Sequence, residues 1–129
     1  MKKEKKIPLL LKDMYNFNIS IDEIKSIELC NDLPNCDTLE NILGTLYVIE
    51  GATLGGEIVA KKLENIFKKE IYFFNSYKEN IREMWKSFCN VLNDYAKNNI
   101  DKEEEIIKSS ENTYFKFNEW LKKIPQHGF

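Results

Sequence analysis

Apolar residues recur at three- and four-residue steps along most of this chain, and they do not alternate with period two for long. Steps of three and four place side chains on one face of an α-helix, whereas alternation would indicate strands. The pattern therefore predicts an all-α fold. The predicted helices cover residues 7–16, Ser20 to about Cys30, Asp37 to about Lys69, a stretch that begins at Ser76, and a last stretch from Asp101 to Pro125.

Capping motifs mark where four of these helices begin. In such a motif a side-chain oxygen accepts a hydrogen bond from the backbone N–H three residues on, and the glutamate at that position reaches back. The four motifs are Ser20–Glu23, Asp37–Glu40, Ser76–Glu79 and Asp101–Glu104. Between the helices, residues 30–37 predict a loop and residues 70–77 a turn or an irregular segment.

The last two helices have distinct predicted core faces. The face behind Ser76 holds Ile81, Met84, Trp85, Phe88, Leu92 and Tyr95. The face behind Asp101 holds Ile106, Ser110, Thr113, Tyr114, Phe117, Trp120 and Leu121. A chain of 129 residues has the length of one domain, so we expect a single helical domain over residues 1–129.

Four of the five glycines fall within thirteen residues of the third predicted helix, at Gly44, Gly51, Gly55 and Gly56. A glycine inside a helix costs roughly 1 kcal/mol relative to alanine, so the four together cost about 3–4 kcal/mol. Spacings of seven and four residues place Gly44, Gly51 and Gly55 on one helical face. Three interpretations stay open: close packing of a neighbouring helix, a ligand-facing kink, and a break in the helix.

Composition argues against several classes of protein. A net charge of −2 does not attract nucleic acid or anionic lipid. No apolar run reaches the ~18–20 residues that a membrane-spanning helix needs. Three cysteines without a C-x-x-C spacing and a single histidine predict no zinc site. We therefore expect a cytoplasmic protein with no nucleic-acid partner, no membrane partner and no metal site built from its own residues.

The stretch "LGTLYVIEGATLGGEIVAKKL", residues 43–63, resembles the distal-helix signature of bacterial, biliverdin-producing heme oxygenases. Three further segments match that family in the same order: "PLLLKDM", "YFFNSY" with "MWKSFCNVL", and "TYFKFNEWL". The resemblance implies a heme-oxygenase-like helical bundle and the oxidative cleavage of heme to biliverdin, iron and carbon monoxide. Heme is then both substrate and cofactor, and the electrons come from a reductase or a ferredoxin.

The same resemblance implies which residues contact heme on its distal face. Gly51, Thr53, Gly55 and Gly56 would lie over the heme, in a helix that kinks across it. A helix without bulky side chains leaves room for dioxygen on the iron, because a large side chain there would block it. No residue is assigned a catalytic role by its side chain.

Arg82 and Lys86 stand one helical turn apart and resemble the basic pair that holds the heme propionates in the family. As residues they also fit a solvated helix flank. Tyr114 aligns with an aromatic residue that touches the heme from the last helix, and it also fits a core position.

The chain departs from the family at its beginning. In heme oxygenases the first helix supplies a proximal histidine to the iron, and the first helices have no counterpart here. The only histidine, His127, follows Pro125 in a glycine-containing tail, which does not offer the held orientation that a ligand needs. We therefore expect the C-terminal two-thirds of the family fold, truncated at the N-terminus.

Two expectations follow from that departure. The apolar faces would be partly open, so we expect a covering partner, either a second copy in a homodimer or a separate N-terminal piece. The function stays open between a heme oxygenase or part of one, a non-catalytic heme-oxygenase-like scaffold, and a helical interaction protein whose glycines only permit close packing.

Overall fold

The computed structural model describes residues 6–76 and 78–123, and every regular element in this part of the chain is helical. The α-helices are α1 (Lys6–Asn16), α2 (Ile21–Lys25), α3 (Leu39–Leu54), α4 (Gly56–Phe67), α5 (Ile81–Asn98) and α6 (Glu103–Lys123). Short 3₁₀ turns, Lys78–Asn80 and Ile100–Lys102, precede α5 and α6. The all-α prediction is confirmed for the described residues.

The chain divides into two compact units. The first unit takes Met1–Glu28 and Gly51–Ser87, and the second takes Leu29–Glu50 and Phe88–Phe129. Helices α3 and α5 each contribute residues to both units. The single domain over residues 1–129 stays a prediction.

The motif at Ser20 is confirmed, but the helix it starts is shorter than predicted. Ser20 Oγ accepts from the backbone N–H of Glu23 at 3.1 Å, and Glu23 accepts from the N–H of Ser20 at 2.7 Å. Helix α2 ends at Lys25, five residues before Cys30. The apolar residues that follow are exposed, among them Ile27 at 49%. Short helices depend on tertiary packing for stability. Because the side chains after Lys25 are exposed, their burial does not stabilise a longer helix.

Helix α3 begins one residue later than the motif at Asp37 predicts. Thr38 is the residue that caps it, because Thr38 Oγ1 accepts from the N–H of Asn41 at 3.1 Å. Glu40 is 8% exposed and its carboxylate accepts a hydrogen bond from the hydroxyl of Tyr95. This bond lowers the pKa of Glu40 and raises the pKa of Tyr95 to about 12. Tertiary contact with α5 therefore takes the glutamate away from the expected capping role.

The motifs at Ser76 and Asp101 do not cap the helices that follow them. Ser76 Oγ is buried and has no hydrogen-bond partner among the described residues, and Tyr77 lies outside them. Asp101 lies inside a 3₁₀ turn, and α6 begins at Glu103. In both cases a tight 3₁₀ turn opens the helix, so the start of the α-helix moves past the predicted cap.

The core face predicted for α5 is confirmed. Its members are all buried or half-buried: Ile81, Met84, Trp85, Phe88, Leu92 and Tyr95. The charged side chains beside this face, such as Arg82, Glu83 and Lys86, are exposed. Sequence periodicity was sufficient here because large apolar side chains alternate with charged ones at clear helical spacing.

The core face predicted for α6 is confirmed only in part: Ile106 and Thr113 are buried and Ser110 and Trp120 are half-buried. The buried side chains of this helix are Ile106, Ser109 and Thr113. Three large residues of the predicted face are exposed instead: Tyr114, Phe117 and Leu121. The helix therefore buries the small, polar side chains of Ser109 and Thr113 together with Ile106 inside the second unit.

Gly44 on α3 explains why α6 buries Ser109 and Thr113 instead of its aromatic side chains. A Cβ at Gly44 would stand 2.5 Å from the carbonyl oxygen of Ile106 and 2.5 Å from Cβ of Ser109. At such a separation the two backbones almost touch, and only glycine and small residues fit between them. An aromatic residue of α6 has no room at this position.

Hydroxyl groups complete the contact between α3 and α6. Thr45 Oγ1 and Thr113 Oγ1 lie 3.2 Å apart, and Ser109 Oγ donates to the carbonyl oxygen of Asn41 at 2.8 Å. Thr113 also donates to the carbonyl oxygen of Ser109 at 2.8 Å. These bonds satisfy the polar groups that the close approach buries.

Candidate functional site

The third predicted helix is interrupted at Gly55. Helix α3 ends at Leu54, α4 begins at Gly56, and the two helices are bent by 43° at this break. Gly55 caps the start of α4 and keeps a right-handed backbone, with φ −87° and ψ −6°. Among the described residues no single helix is long and apolar enough to span a membrane, and α3 and α4 meet that test only as a bent pair.

Gly56 is required by the backbone that lies against it. A Cβ at this position would overlap the carbonyl oxygen of Phe74 and stand 3.1 Å from the carbonyl carbon of the same residue. Backbone cannot move aside as the end of a long side chain can, so only glycine fits. Close packing therefore explains Gly56, and it joins the start of α4 to the irregular segment 70–76.

Two carboxylates hold that irregular segment in place. Asp13 on α1 accepts from the N–H of Tyr72 and from the N–H of Phe73, each at 2.9 Å. Glu64 on α4 accepts from the N–H of Ile71 at 3.1 Å. Three successive backbone amides are thus satisfied by ionisable side chains instead of by a helix. Because bonds to a charged acceptor are strong, they keep the segment against α1 and α4.

Gly51 faces an aromatic ring. A Cβ at Gly51 would stand 3.4 Å from Cη2 and 3.6 Å from Cζ3 of Trp85, which lies on α5. These are ordinary van der Waals distances, so alanine would fit. The end of α3 therefore packs against the ring of Trp85, but this contact does not require glycine at position 51.

Gly55 faces open space. In the described part of the chain no atom lies within 4 Å of the place that its Cβ would take. Its φ is negative, so its backbone conformation does not demand glycine either. Gly51 and Gly55 stand four residues apart and together form what we call the bare strip.

The four glycines therefore have different roles. Gly44 and Gly56 permit close approach of backbone, and Gly55 lies at a helix break. Gly51 lies against the ring of Trp85 without needing to be glycine, and Gly55 leaves a surface without a side chain that packing within its own unit does not use. Of the three interpretations left open, close packing and a break are each confirmed, at different residues. A ligand at the kink stays a prediction.

Six of the seven residues predicted to contact heme belong to the first unit: Gly51, Thr53, Gly55, Gly56, Arg82 and Lys86. Arg82 and Lys86 lie on α5, three residues before and one residue after Trp85, and both are exposed. Thr53, which stands between Gly51 and Gly55 in sequence, is half-buried. Tyr114 lies in the second unit, on α6, and is 54% exposed.

Potential metal ligands do not come together in the described residues: no three His, Cys, Asp or Glu side chains form a group that could hold an ion. Cys30, Cys36 and Cys89 are free thiols. The sole histidine, His127, lies outside the described residues, as does Pro125.

Two residues of this region were not singled out by their sequence pattern. Trp85 was predicted only as part of a core face, and its contact with Gly51 depends on how α3 and α5 meet. Nothing in the sequence pattern marks Asp13 as a structural residue. Its two carboxylate oxygens accept hydrogen bonds from backbone amides that lie 59 and 60 residues away, in an irregular segment.

No protein-family model, no curated protein and no solved structure matches this chain. The resemblance to heme oxygenases therefore rests on the four sequence segments that carry it.

Proposed function

We propose that this chain is a heme-oxygenase-like protein that binds heme against the bare strip. The observation that carries the proposal is that Gly51 and Gly55, unlike Gly44 and Gly56, meet no backbone that would exclude a side chain. Gly51 lies inside α3, where glycine lowers stability relative to alanine. A flat ligand that approaches the helix backbone gives such a position a use.

The residues near the bare strip suit the two parts of a heme. The ring of Trp85 beside Gly51 offers aromatic surface to a planar, apolar macrocycle. Arg82 and Lys86, on the same helix as Trp85, offer two cations to the propionates. Thr53, like Tyr114 in the other unit, belongs to the proposal through the resemblance alone.

By resemblance the reaction is the oxidative cleavage of heme to biliverdin, iron and carbon monoxide, with electrons from a reductase or a ferredoxin. Bound heme supplies the iron at which dioxygen is activated. The part of this chain is to keep bulky side chains away from one face of the macrocycle, through Gly51 and Gly55, and to orient the propionates, through Arg82 and Lys86.

A non-catalytic heme-oxygenase-like scaffold is the second candidate. The one histidine of this chain is His127, in the segment that follows Pro125. A proximal ligand has to be held in a fixed orientation. For this chain acting alone, that favours heme binding without turnover, or turnover only with a separate N-terminal piece that brings the ligand.

Hemin titration, followed by the Soret band, tests the binding site. Gly55→Leu places a large side chain in open space, so the fold is kept while the bare strip is covered. Glu57→Leu is the matched control, because Glu57 is exposed and, two residues after Gly55, lies on the other side of the helix. We expect at least tenfold weaker hemin binding for Gly55→Leu, roughly 1.4 kcal/mol, and unchanged binding for Glu57→Leu. Equal affinity in all three proteins would place heme elsewhere.

A second titration tests the basic pair. Replacing Arg82 and Lys86 together by alanine removes two charge-assisted contacts, so binding becomes weaker and less dependent on salt. Lys97→Ala, at an exposed lysine of the same helix, is the control and leaves both unchanged. Biliverdin formation with a ferredoxin and its reductase then separates the enzyme from the scaffold. A wild-type protein without any specific Soret band contradicts both.

A further inference from the structure

Helix α1 turns its apolar side chains away from the unit to which it belongs. Ile7, Leu11 and Tyr15 follow one another at steps of four residues, and they are 72%, 43% and 76% exposed. Leu10, beside them, is 41% exposed. Steps of four align side chains along one side of a helix. We call these four residues the α1 face. Contiguous apolar surface of this kind marks a contact with another molecule.

Asp13 determines which side of α1 points inward. Its side chain is buried, and its carboxylate accepts the N–H groups of Tyr72 and Phe73, each at 2.9 Å. Leu11 and Tyr15 stand two residues before and two residues after Asp13, which places both of them about 160° from it around the helix. The two bonds that fix Asp13 to the irregular segment therefore keep the α1 face outside.

Positive charge is concentrated at the start of this helix. The first twelve residues contain one glutamate, Glu4, and five lysines: Lys2, Lys3, Lys5, Lys6 and Lys12. The Nζ of Lys12 lies 3.8 Å from the centre of the Tyr72 ring, and an aromatic ring leaves the positive charge in place. The expectation of no membrane partner depends on the net charge of −2 for the whole chain, which does not describe this basic end.

An apolar face next to lysines is typical of a helix that lies in the plane of an anionic membrane. Its apolar side chains enter the boundary between headgroups and acyl chains, and the lysines are attracted to the anionic headgroups. Tyrosine, with an apolar ring and a polar hydroxyl, is enriched at that boundary. With 11 residues, α1 is about 16 Å long, so it can lie on a bilayer but is too short to span one.

A protein partner or a nucleic acid fits the same features less well. One face of an 11-residue helix falls short of the ~800 Å² per partner that a standard protein complex buries. Nucleic acid would use the lysines but not the apolar side chains, because its binding depends mainly on phosphate contacts. A membrane needs no complementary surface, and a short apolar face and basic charge act together as two weak signals for it.

We propose that the α1 face and the lysines around the start of α1 form a peripheral membrane-binding site for anionic lipid. Helix α1 then lies flat on the bilayer, with Ile7, Leu11 and Tyr15 towards the acyl chains, while Asp13 stays bonded to the irregular segment. Binding is reversible, because a short apolar face and a few lysines are weak signals. The site does not depend on heme, so hemin titration and lipid binding succeed or fail separately.

Cosedimentation of the full chain with vesicles tests the role of charge. Vesicles of phosphatidylcholine alone are compared with vesicles of phosphatidylcholine and phosphatidylglycerol in equal parts. We expect binding to the anionic vesicles only, and its loss at high salt, which screens the lysines. Replacing Lys2, Lys3 and Lys5 together by glutamine should weaken binding at least tenfold. The control replaces three exposed lysines of α5 and α6 by glutamine and should leave binding unchanged: Lys97, Lys108 and Lys122.

A second pair of variants tests the α1 face. Leu11→Glu puts a negative charge at the middle of the face, and Ile107→Glu puts the same charge on an apolar residue of α6 that is 49% exposed. We expect Leu11→Glu to bind anionic vesicles at least tenfold more weakly, and Ile107→Glu to bind them like the wild-type protein. Far-UV circular dichroism verifies that every variant keeps its helix content.

Three results would overturn the proposal. A wild-type protein that binds neither kind of vesicle does not use lipid, and the α1 face is then left to a protein partner. Equal binding to both kinds of vesicle, or equal binding by the lysine variant and its control, excludes recognition of anionic lipid by this basic end. Equal weakening by Leu11→Glu and Ile107→Glu places lipid binding away from α1.

Discussion

The contact between α3 and α6 at Gly44 and the break between α3 and α4 at Gly55 both use glycine, for opposite reasons. At Gly44 a neighbouring backbone lies so near that no Cβ fits, and at Gly55 no neighbouring atom of the described chain lies within 4 Å. The first glycine is a spacer inside a packed interface. The second leaves a surface bare. Glycines of one motif thus divide into those that the fold needs and those that it does not.

We expect the largest change in the free energy of unfolding at the two spacers, Gly44 and Gly56. Gly56→Ala and Gly44→Ala each force a Cβ into a backbone carbonyl, so we expect each to lower the free energy of unfolding by about 3 kcal/mol. Urea unfolding followed by far-UV circular dichroism measures this. A loss below about 1 kcal/mol would mean that the facing backbone moves aside and that these glycines are not spacers.

A slightly smaller effect is expected where the irregular segment beside Gly56 is held. Asp13→Asn keeps the shape of the side chain but replaces one accepting oxygen by an NH₂ group that faces a backbone N–H. We expect a loss of about 2 kcal/mol, because bonds to a charged acceptor are lost and one amide is left unsatisfied. Asp94→Asn, at an exposed position of α5, is the control and should change little. If both variants were equally stable, Asp13 would not stabilise the irregular segment.

At Gly51 and Gly55, substitution by alanine should not lower stability as it does at the spacers. Gly51→Ala sits inside α3 at an ordinary contact distance from Trp85, so we expect a gain of about 0.5 kcal/mol from helix propensity. Gly55→Ala should stay within about 0.5 kcal/mol of the wild-type protein, since a small loss in capping offsets the lower entropy of the unfolded chain. Thermal unfolding compares both with Gly44→Ala. If the free energy of unfolding fell by more than about 2 kcal/mol at Gly51 or Gly55, these glycines would be needed for packing in the same way as Gly44 and Gly56.

The smallest effect is a pH dependence in the second unit. The bond to Glu40 raises the pKa of Tyr95 to about 12, so the unfolded state loses this proton first and stability falls as the pH rises from about 10 towards 12. The pKa of Glu40 is lowered, so its contribution is present above its ordinary pKa and is lost as the pH falls through the lowered value. Tyr95→Phe should flatten both slopes. Tyr15→Phe, at a residue 76% exposed, should leave them as they are.

Sequence reasoning succeeded where the cause of a feature is local. The all-α fold, α1, the capping motif at Ser20 and the core face of α5 follow from periodicity and from hydrogen bonds within one turn. It failed at Glu40, whose carboxylate bonds to Tyr95 across 55 residues instead of capping its own helix. It failed in part on α6, where a close approach at Gly44 buries Ser109 and leaves Tyr114 and Phe117 exposed.

The sequence by itself determined that the chain is helical, that it has an unusual cluster of glycines, and which side chains are large enough to form a core. Those are properties of single residues and of their spacing along one helix. Only the tertiary structure decided that Gly44 and Gly56 are spacers, that Gly51 lies against Trp85 while Gly55 stays bare, and that α6 leaves Tyr114 outside. The reason is that each of these depends on how near another backbone comes, and that distance is set by residues far away in the chain.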